Sequence, residues 1–453
     1  MNTIDLNKKI GIWGFGTTGK SAANYFHVRG YHVQVLDRKN LDDTEKAFLI
    51  TRNIPFFHQE FLSGFLEQND YIVASPGIDI RPYLQQYPDK FLNELDFFYA
   101  EWNKPIIAIT GSVGKTTITH LLSTLLQKVG LEVATGGNIG TPLFDLIALN
   151  KSHDVALLEL SSFQLEHCTQ FAPDLAIITN LYPNHLDRHN DEQEYLDAKT
   201  KIFAHQKKGQ QALISWGLKD KINGVLEGKL HYFSSSPLPS QENRSDISKK
   251  YYIENDVITV DLNGQRKELM ACIGLPPITF IENWLIIHAI FDICKLPLPD
   301  LHSLKLTVPE HRLERVATIN GVDFYNDSKS TTVQSTQAAI ERLKSRPVLL
   351  LLGGLSKGVN RAPFIASIKN DVKKIYCFGA EAKELKMMCD AADIQSASFA
   401  NLDTAFAACV ADMQSGDQIL LSPAGSSYDL YKIYTERGDH FKKLVGNIPS
   451  SRR

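Results

Sequence analysis

The chain has 453 residues, enough for about three domains at the usual ~150 residues per domain. Hydrophobic residues make up 43% and charged residues 22%, which is ordinary for a globular protein and excludes a disordered or fibrous chain. Lysine and arginine number 48 against 51 for aspartate and glutamate, so the net charge of −3 gives no general attraction to nucleic acids or anionic membranes.

The six cysteines are scattered without a CxxC pair, which predicts reduced thiols in a cytoplasmic protein rather than disulfides or a zinc site. The N-terminus lacks the uninterrupted apolar segment of a signal peptide. The longest apolar runs, such as 348–352, are far shorter than the ~20 residues of a membrane helix. We therefore expect a cytoplasmic monomer without membrane insertion and without a nucleic-acid partner.

Short aliphatic and β-branched runs alternate with helical patterns, which predicts an α/β fold with parallel sheets. The predicted strands form three groups along the chain: 9–16, 31–37 and 70–77; then 105–111, 154–162 and 175–180; then 321–328, 347–354, 374–379 and 417–423. Residues 230–273 break the alternation and predict a small antiparallel appendage on the second domain. We predict domains at 1–103, 104–308 and 309–453.

The segment GFGTTG at 14–19 matches G-x-G-x-x-G directly after the first predicted strand, and Asp37 closes the next strand. In dinucleotide-binding folds such glycines admit a pyrophosphate and such an acid binds a ribose hydroxyl. Any nucleotide diphosphate can use the same backbone amides, and the glycines can also merely allow tight strand-to-helix packing. An NAD-dependent dehydrogenase is therefore one hypothesis for this domain.

The segment TGSVGKTT at 110–117 follows an apolar strand and opens a predicted helix that ends at Gly130. Backbone N–H groups of such a loop cradle phosphates, while Lys115 neutralises their charge and the Thr116 hydroxyl can reach Mg²⁺. Ile109 stands where the full G-x-x-x-x-G-K-[ST] pattern has its first glycine, which indicates a variant class. The sequence therefore predicts that ATP or GTP binds here.

Further candidates follow downstream. Glu159 ends a predicted strand, where it is either a magnesium ligand or a solvated strand-end carboxylate. The segment NHLDRH at 184–189 lacks the distant third ligand of a zinc site. We therefore favour His185 as a single functional histidine beside the phosphates and interpret Asp187 and His189 as part of the loop structure. Lys199 has the pattern of a surface helix lysine, and its sequence context does not distinguish it from Lys201.

The motifs together resemble the Mur ligase family. They are TGSVGKTT (110–117), GGNIGTP (136–142), LELSSFQLE (158–166), NHLDRH (184–189), PEHRLERV (309–316), NDSKSTT (326–332) and LLLGG followed by Lys357. VASPGI (73–78), paired with LLSPAGSSYD and TERGDHF (420–441), resembles the branch that joins D-glutamate to UDP-N-acetylmuramoyl-L-alanine. The resemblance covers essentially the whole chain.

It implies an N-terminal Rossmann-like domain for the UDP-sugar, a central phosphate-loop ATPase and a C-terminal Rossmann-like α/β domain for the amino acid. The activity it implies is an ATP-dependent amide ligase of peptidoglycan precursor synthesis that acts through an acyl phosphate and releases ADP and phosphate. A sibling Mur ligase, a folylpolyglutamate-type ligase and a non-catalytic nucleotide-sugar sensor remain the alternatives.

The resemblance also implies the site residues. For the UDP-sugar they are Gly16, Thr17, Thr18, Asp37, Arg38, Ser75, Pro76, Gly77 and Asn138. For ATP they are Gly111, Ser112, Val113, Gly114, Lys115, Thr116, Thr117, Asn283, Arg312 and Asp327. For D-glutamate they are Lys329, Thr331, Lys357, Ser427 and Tyr434.

Lys115, His185 and Lys199 are the implied catalytic residues. The implied ligands of two Mg²⁺ ions are Thr116, Glu159, His185 and a carbamylated Lys199. Carbamylation would convert the Lys199 ammonium into an anionic oxygen ligand suited to this hard cation. The chain departs from the family pattern at Phe280, Leu355, Tyr428 and Tyr434.

Overall fold

The computed structural model describes residues 4–182, 188–222, 227–239, 247–273, 275, 278, 280–304 and 309–448. The described strands form three sheets that follow one another along the chain. The predicted fold class, α/β with three domains and mainly parallel sheets, is confirmed. Among the described helices, none has both the length and the apolar character that crossing a bilayer requires.

The first sheet has the order β3-β2-β1-β4, and all of its strand pairs are parallel. Its strands are β1 (Lys9–Trp13), β2 (His32–Asp37), β3 (Phe56–His58) and β4 (Tyr71–Ala74). Its helices are α1 (Thr17–Val28), α2 (Asp43–Thr51), α3 (Leu62–Gln68), α4 (Arg81–Leu84) and α5 (Glu94–Glu101). Parallel pairing carries the chain back over the sheet after each strand, so the glycine loop before α1 lies at the sheet's carboxyl edge.

The central sheet has the order β13-β12-β11-β10-β9-β8-β5-β7-β6. Its strands are β5 (Ile106–Thr110), β6 (Val133–Gly137), β7 (Val155–Glu159), β8 (Leu175–Ile178), β9 (Gln211–Ser215), β10 (Lys229–Ser234), β11 (Ile247–Glu254), β12 (Val257–Leu262) and β13 (Gln265–Ala271). Its helices are α6 (Lys115–Lys128), α7 (Leu143–Leu146), α8 (Ser162–Leu165), α9 (Glu192–Ala204) and α10 (Glu282–Ile293). β5 and β7 are buried along their whole length, as expected of central strands covered on both faces.

Within the predicted antiparallel appendage at 230–273, β11 to β13 pair antiparallel with one another, whereas β10 pairs parallel with β9. β11 also pairs parallel with β10, so these strands extend the central sheet itself. Residues 240–246 of the segment predicted to form this appendage lie outside the described residues.

The third sheet has the order β14-β15-β19-β16-β17-β18, with only the β14–β15 pair antiparallel among its described strands. Its strands are β14 (Glu314–Ile319), β15 (Val322–Asn326), β16 (Val348–Gly353), β17 (Lys374–Phe378), β18 (Ser396–Phe399) and β19 (Gln418–Leu421). Its helices are α11 (Val333–Leu343), α12 (Ala362–Ser367), α13 (Ala382–Ala391), α14 (Leu402–Asp412) and α15 (Tyr434–Gly446).

The first two domains share one hydrophobic core, whereas the third domain has hydrophobic cores of its own. One core runs continuously from Ile10 in β1 to Tyr252 in β11, and so joins the first two sheets. At this junction the Phe144 ring lies 5.2 to 5.6 Å, between centroids, from the rings of Tyr25, Phe26 and Phe97. The two core clusters around the third sheet use only residues 313–448 of the described chain. The predicted boundaries near 103 and 308 stay predictions.

Glu94 begins α5 at the junction of the first two domains, where Gln164 Nε2 donates to Glu94 Oε1 at 2.9 Å. Burial raises the pKa of this carboxyl from 4.5 to about 7, while the bond from Gln164 opposes the rise. The folded state therefore binds the proton more tightly than the unfolded chain. The contribution of Glu94 to stability is complete below about pH 4.5 and is lost as the pH rises through 7.

A Glu94→Gln variant does not titrate, so it should gain stability over the wild type as the pH rises. At about 1.4 kcal/mol per pH unit, the gain between pH 4.5 and 8 should reach roughly 3 kcal/mol. Urea denaturation of both proteins across this range measures it. Glu101→Gln, which changes an exposed glutamate at the end of the same helix, is the matched control. A gap between Glu94→Gln and wild type that stays constant with pH would contradict the assignment.

Candidate active site

The loop 111–114 between β5 and α6 has a backbone that favours glycine at two positions. Gly111 has φ +144° and Gly114 has φ +87°, both in the left-handed region. A Cβ on Gly111 would also lie 2.0 Å from Thr179 Oγ1. Gly114 is the N-cap residue of α6, so the chain turns directly into the helix at Lys115. The N-terminus of α6 carries a partial positive charge from the helix dipole, which suits a phosphate group.

The end of β8 holds this loop in place through Asn180, a residue to which the sequence assigned no role. Asn180 Oδ1 accepts the N–H groups of Ser112 at 3.2 Å and Val113 at 2.9 Å. Its Nδ2 donates to the Val113 carbonyl at 3.1 Å, and Thr179 Oγ1 donates to the same carbonyl at 2.9 Å. Because both amides donate to Asn180, the phosphate-binding role predicted for Ser112 and Val113 stays a prediction.

Two lysines converge on one carbonyl of the loop. Lys115 Nζ donates to the Gly111 carbonyl at 2.8 Å, and Lys199 Nζ donates to it at 3.0 Å and to Thr110 Oγ1 at 3.2 Å. Burial lowers the pKa of both amines, and the Lys115 charge lowers that of Lys199 further. Lys199 is only 1% exposed, whereas Lys201 is half-buried beside a different cavity. The structure thus shows that Lys199 and Lys201 have different environments, which the sequence alone does not show.

Glu159 ends β7, is 2% exposed, and interacts electrostatically with both lysines. Its Oε1 accepts from Thr116 Oγ1 at 3.3 Å and from Asn138 Nδ2 at 3.2 Å. Its Oε2 is buried and has no hydrogen-bond partner among the described residues. A buried carboxylate oxygen without a partner is costly, and oxygen ligands of this kind suit Mg²⁺. The donor set therefore fits a divalent cation held by Glu159 and Thr116.

A cleft of about 190 Å³ joins this region to the third domain. Its lining includes Ser112, Val113, Gly114, Lys115, Thr116, Asn138, Glu159, Lys199, Arg312, Lys329, Thr331 and Lys357. Five of these side chains are basic against one carboxylate. The predicted phosphate loop, metal ligands and part of the predicted D-glutamate set are thus brought together in one strongly electropositive cleft.

Lys329 shows how strongly the cleft favours anions. Burial, followed by repulsion from Arg312, lowers the pKa of its amine to about 7. Its Nζ lies 3.8 Å from the centroid of the Tyr434 ring, a favourable cation–π distance. An anionic ligand in the cleft would relieve the repulsion among these cations, so binding and charge neutralisation are coupled.

Asp327 and Asn283 lie behind the cleft rather than in its lining. Asp327 is 1% exposed and accepts from the Leu313 N–H at 3.0 Å, Ser330 Oγ at 2.5 Å and Ser422 Oγ at 2.7 Å. Burial raises the pKa of this carboxyl to about 6. Its bonds anchor the segment that carries Arg312, and the nucleotide contact predicted for it stays a prediction.

Asn283 packs behind the phosphate loop. Its Oδ1 lies 2.9 Å from the position that a Cβ on Gly114 would take, and its Nδ2 is buried without a partner among the described residues. Thr117, in the first turn of α6, is buried beneath the same loop. An unpaired amide donor beside the loop is compatible with the predicted nucleotide contact, which the structure does not test.

The remaining D-glutamate candidates, Ser427 and Tyr434, belong to the third domain but are not part of the lining of the cleft. Tyr434 begins α15 beside Lys329. Ser427 is 3% exposed, and its carbonyl accepts the N–H groups of Leu430 at 3.1 Å and Tyr431 at 2.8 Å, so it starts a turn outside the lining of the cleft. Its predicted role stays a prediction. Arg437, which the sequence did not single out, is fully buried and donates to the carbonyls of Ser328 and Gly425.

The glycine loop of the first domain forms a second, separate site. Gly14 has φ +93°, and a Cβ on Gly19 would lie 1.8 Å from the Gly14 carbonyl oxygen. Asp37 Oδ2 accepts the Phe15 N–H at 2.6 Å and its Oδ1 accepts the Lys39 N–H at 2.9 Å. One carboxylate oxygen therefore holds the glycine loop and the other holds the turn after β2, and a nucleotide contact for Asp37 stays a prediction.

The other UDP-sugar candidates of the first domain lie in this loop and in the segments after β2 and β4. Gly16, Thr17, Arg38 and Gly77 are exposed, while Thr18, Ser75 and Pro76 are half-buried. Ser75 Oγ donates to the Gly14 carbonyl at 3.2 Å, which ties the loop after β4 to the glycine loop. Asn138 instead lies in the central cleft beside Glu159.

His185 and Asp187 lie outside the described residues, so the predicted catalytic and metal-binding role of His185 stays a prediction. His189 is buried, with Nε2 3.0 Å from Ser162 Oγ, and its ring stacks on Phe163. These contacts agree with the interpretation of His189 as part of the loop structure. All six cysteines are free thiols.

Comparison with known proteins gives consistent matches along the chain. Three family models match: Mur ligase MurD-like, N-terminal domain, at 8–90; Mur ligase middle domain, at 109–288; and Mur ligase, glutamate ligase domain, at 311–425. The UDP-N-acetylmuramoylalanine–D-glutamate ligase of Thermoanaerobacter sp. (strain X514) is 32% identical, covering 97% of this chain and 98% of that protein. The enzyme of that name from Oleidesulfovibrio alaskensis is 35% identical, covering 96% and 93%.

Among solved structures, the pseudomurein peptide ligase type C of Methanothermus fervidus aligns with a TM-score of 0.59 at 16% identity. The alignment covers 98% of this chain and 100% of that one. At this identity the likeness concerns the fold alone, and it supports the three-domain architecture.

Proposed function

This chain belongs to the Mur ligase family, and from that membership and the geometry of its cleft we propose that it is an ATP-dependent ligase joining D-glutamate to UDP-N-acetylmuramoyl-L-alanine. The observation that carries the proposal is the cleft itself, where the phosphate loop meets Lys329 and Lys357 of the glutamate ligase domain. A site shared by a nucleotide loop and an acceptor domain suits transfer of a phosphoryl group followed by amide formation.

Amide formation from a carboxylate needs a better leaving group than hydroxide. In the proposed reaction the alanyl carboxylate attacks the γ-phosphorus of ATP, forms an acyl phosphate and releases ADP. The amine of D-glutamate then attacks the acyl carbon and expels phosphate, and the amine gives up a proton. Lys115 would neutralise the charge of the transferred phosphoryl group, and Arg312 and Lys329 would add positive charge from the third domain.

Mg²⁺ would be held by Thr116 and Glu159, whose free Oε2 supports this assignment. The ion would supply charge neutralisation at the phosphates. Lys199 is proposed as a further ligand in carbamylated form. Only a neutral amine adds to CO₂, and burial with the neighbouring Lys115 charge lowers the pKa of Lys199 well below 10.5. His185 is proposed as a residue beside the acyl phosphate on the family resemblance.

The UDP moiety is proposed to bind at the glycine loop of the first domain rather than NAD. The loop has the positive φ at Gly14 and the close approach at Gly19 that suit a diphosphate-binding turn. Gly16 and Thr17 are its exposed residues, and Arg38 is exposed directly after β2. Asn138 in the central cleft would contact the muramoyl end, so one substrate would extend from the first domain to the ATP site. We further propose a cytoplasmic monomer, in line with its six free thiols.

The deciding experiment measures phosphate release with ATP, Mg²⁺ and UDP-N-acetylmuramoyl-L-alanine. D-glutamate is compared with L-glutamate, L-lysine and diaminopimelate as acceptor. We expect release with D-glutamate alone. Release with another amino acid would assign the chain to a sibling ligase, and release with none of them would refute the ligase proposal.

A further inference from the structure

The loop that carries Lys357 follows β16 and has an unusual backbone. Gly354, Lys357 and Gly358 all have positive φ, at +70°, +53° and +78°. A left-handed conformation at a lysine is unfavourable by itself, so contacts from the surrounding structure have to maintain it. Antiparallel bonds between Leu355 and Ser426, at 3.0 and 2.9 Å, fix the first half of the loop. They end two residues before Lys357.

The second half is fixed by Glu381, the N-cap residue of α13. Its two carboxylate oxygens accept the Ser356 N–H at 3.1 and 3.2 Å, and its Oε1 also accepts from Ser356 Oγ at 3.3 Å. Ser356 immediately precedes Lys357, so these bonds set the direction in which the lysine leaves the loop. Charge-assisted bonds of this kind are stronger than neutral ones.

Arg361, the N-cap residue of α12, holds Glu381 in turn. Its Nη2 pairs with Glu381 Oε2, while its Nη1 donates to the carbonyls of Gly353 at 3.2 Å and Gly354 at 3.3 Å. Arg361 is 2% exposed, and burial lowers the pKa of its guanidinium. The Arg361 guanidinium therefore binds the carbonyls at the start of the loop and also the Glu381 carboxylate, which in turn holds Ser356. Together these contacts enclose residues 353–356.

We propose that Glu381 and Arg361 are positioning residues that aim Lys357 into the cleft and so set the affinity for the acidic amino acid. The inference rests on the proposed function, because it takes the amino acid as the ligand of Lys357. Neither side chain lines the cleft, whereas Lys357 does. They act through the loop backbone, and neither contacts a phosphate-loop residue among the described hydrogen bonds.

The first test is steady-state kinetics of the full chain with Glu381→Gln, which keeps the size of the side chain but removes its charge. The KM for D-glutamate should rise about tenfold, while the KM for ATP and kcat change less than about twofold. Arg361→Met should have the same signature. Lys357→Met should raise the KM for D-glutamate further, and adding Glu381→Gln to it should have no additional effect, because both changes act on one contact.

Asp417→Asn is the matched control. Asp417 is likewise a buried carboxylate that pairs with a cation, Lys373, and accepts a backbone N–H, from Gln414. It precedes β19 and so lies at the amino-terminal ends of the parallel strands, whereas the loop that carries Lys357 follows β16 at their carboxyl ends. This variant should leave the KM for D-glutamate unchanged. An unchanged KM in Glu381→Gln, or a fully additive effect on top of Lys357→Met, would overturn the proposal.

Hydrogen–deuterium exchange gives a readout that does not depend on activity. Amides of residues 353–358 should exchange at least about tenfold faster in Glu381→Gln than in the wild type or in Asp417→Asn. If the wild type proved inactive with D-glutamate, the proposed function would fail, and this measurement would still decide the positioning role. Unchanged exchange in 353–358 would refute it.

Discussion

Replacing Lys115 by alanine should lower ATP-dependent phosphate release by about 10²- to 10³-fold or more, the scale found when a preorganised charge partner of the transition state is removed. Lys115 begins α6 and reaches back to the Gly111 carbonyl at 2.8 Å, so its ammonium lies over the loop that would hold the phosphates. Burial lowers the pKa of its amine. Phosphates beside it would favour the charged form, which is the form that catalysis needs.

The kinetics of phosphate release under saturating ATP measure this effect. Lys128→Ala is its control, because Lys128 is an exposed lysine in the last turn of the same helix. It should retain full activity. Circular dichroism should show the same helix content for both variants. A Lys115→Ala enzyme within tenfold of wild type would mean that the phosphates are held elsewhere.

Replacing Lys199 by alanine should reduce turnover by about 10²-fold, and short carboxylic acids such as acetate or propionate should restore part of it. The side chain is buried, so its removal leaves space beside Thr110 and Gly111, where its Nζ formed two hydrogen bonds. A small carboxylate entering that space would supply the anionic oxygens that the proposed carbamate would supply in the wild type. Rescue should therefore depend on acid concentration and on Mg²⁺.

Lys201→Ala provides the comparison, since Lys201 lies two residues further along α9 and lines a different cavity. It should lose little activity and gain nothing from added acid. Mass spectrometry of the wild type in bicarbonate buffer should show a carbamate adduct confined to the peptide containing Lys199. Loss of activity in Lys199→Ala without rescue by any acid would favour a purely structural lysine.

The sequence predicted the interior of the fold well because buried parallel strands have a strong apolar signal. The runs ending at Thr110, Glu159 and Gly353 are each buried throughout, and each is found as a strand. Five of the described strands were not predicted, namely β3, β6, β9, β14 and β18, and three of them have weak signals for identifiable reasons. β3 is three half-buried residues, β6 ends in two glycines, and β18 is a half-buried edge strand with polar residues.

The candidate site was predictable where function depends on a local motif and unpredictable where it depends on packing between distant segments. The phosphate loop is contiguous, so its spacing alone indicated it. The bonds from Asn180 to the loop span 67 and 68 residues, and those from Glu381 to Ser356 span 25. No short-range pattern marks such partners. The choice of Lys199 over Lys201 likewise depends on which side of α9 faces β5, which only the tertiary structure decides.

The self-contained core of residues 313–448 has a consequence for how this enzyme can diversify. The apolar clusters of the third domain share no described residue with the core that joins the first two domains. Third-domain substitutions that change the shape of the proposed acceptor pocket therefore lower the stability of that domain alone. The core that joins the first two domains does not separate them in this way, because a substitution at Phe144 also changes the packing of Tyr25 and Phe97 in the neighbouring domain. Acceptor specificity can therefore vary over generations while the nucleotide-binding machinery is inherited unchanged.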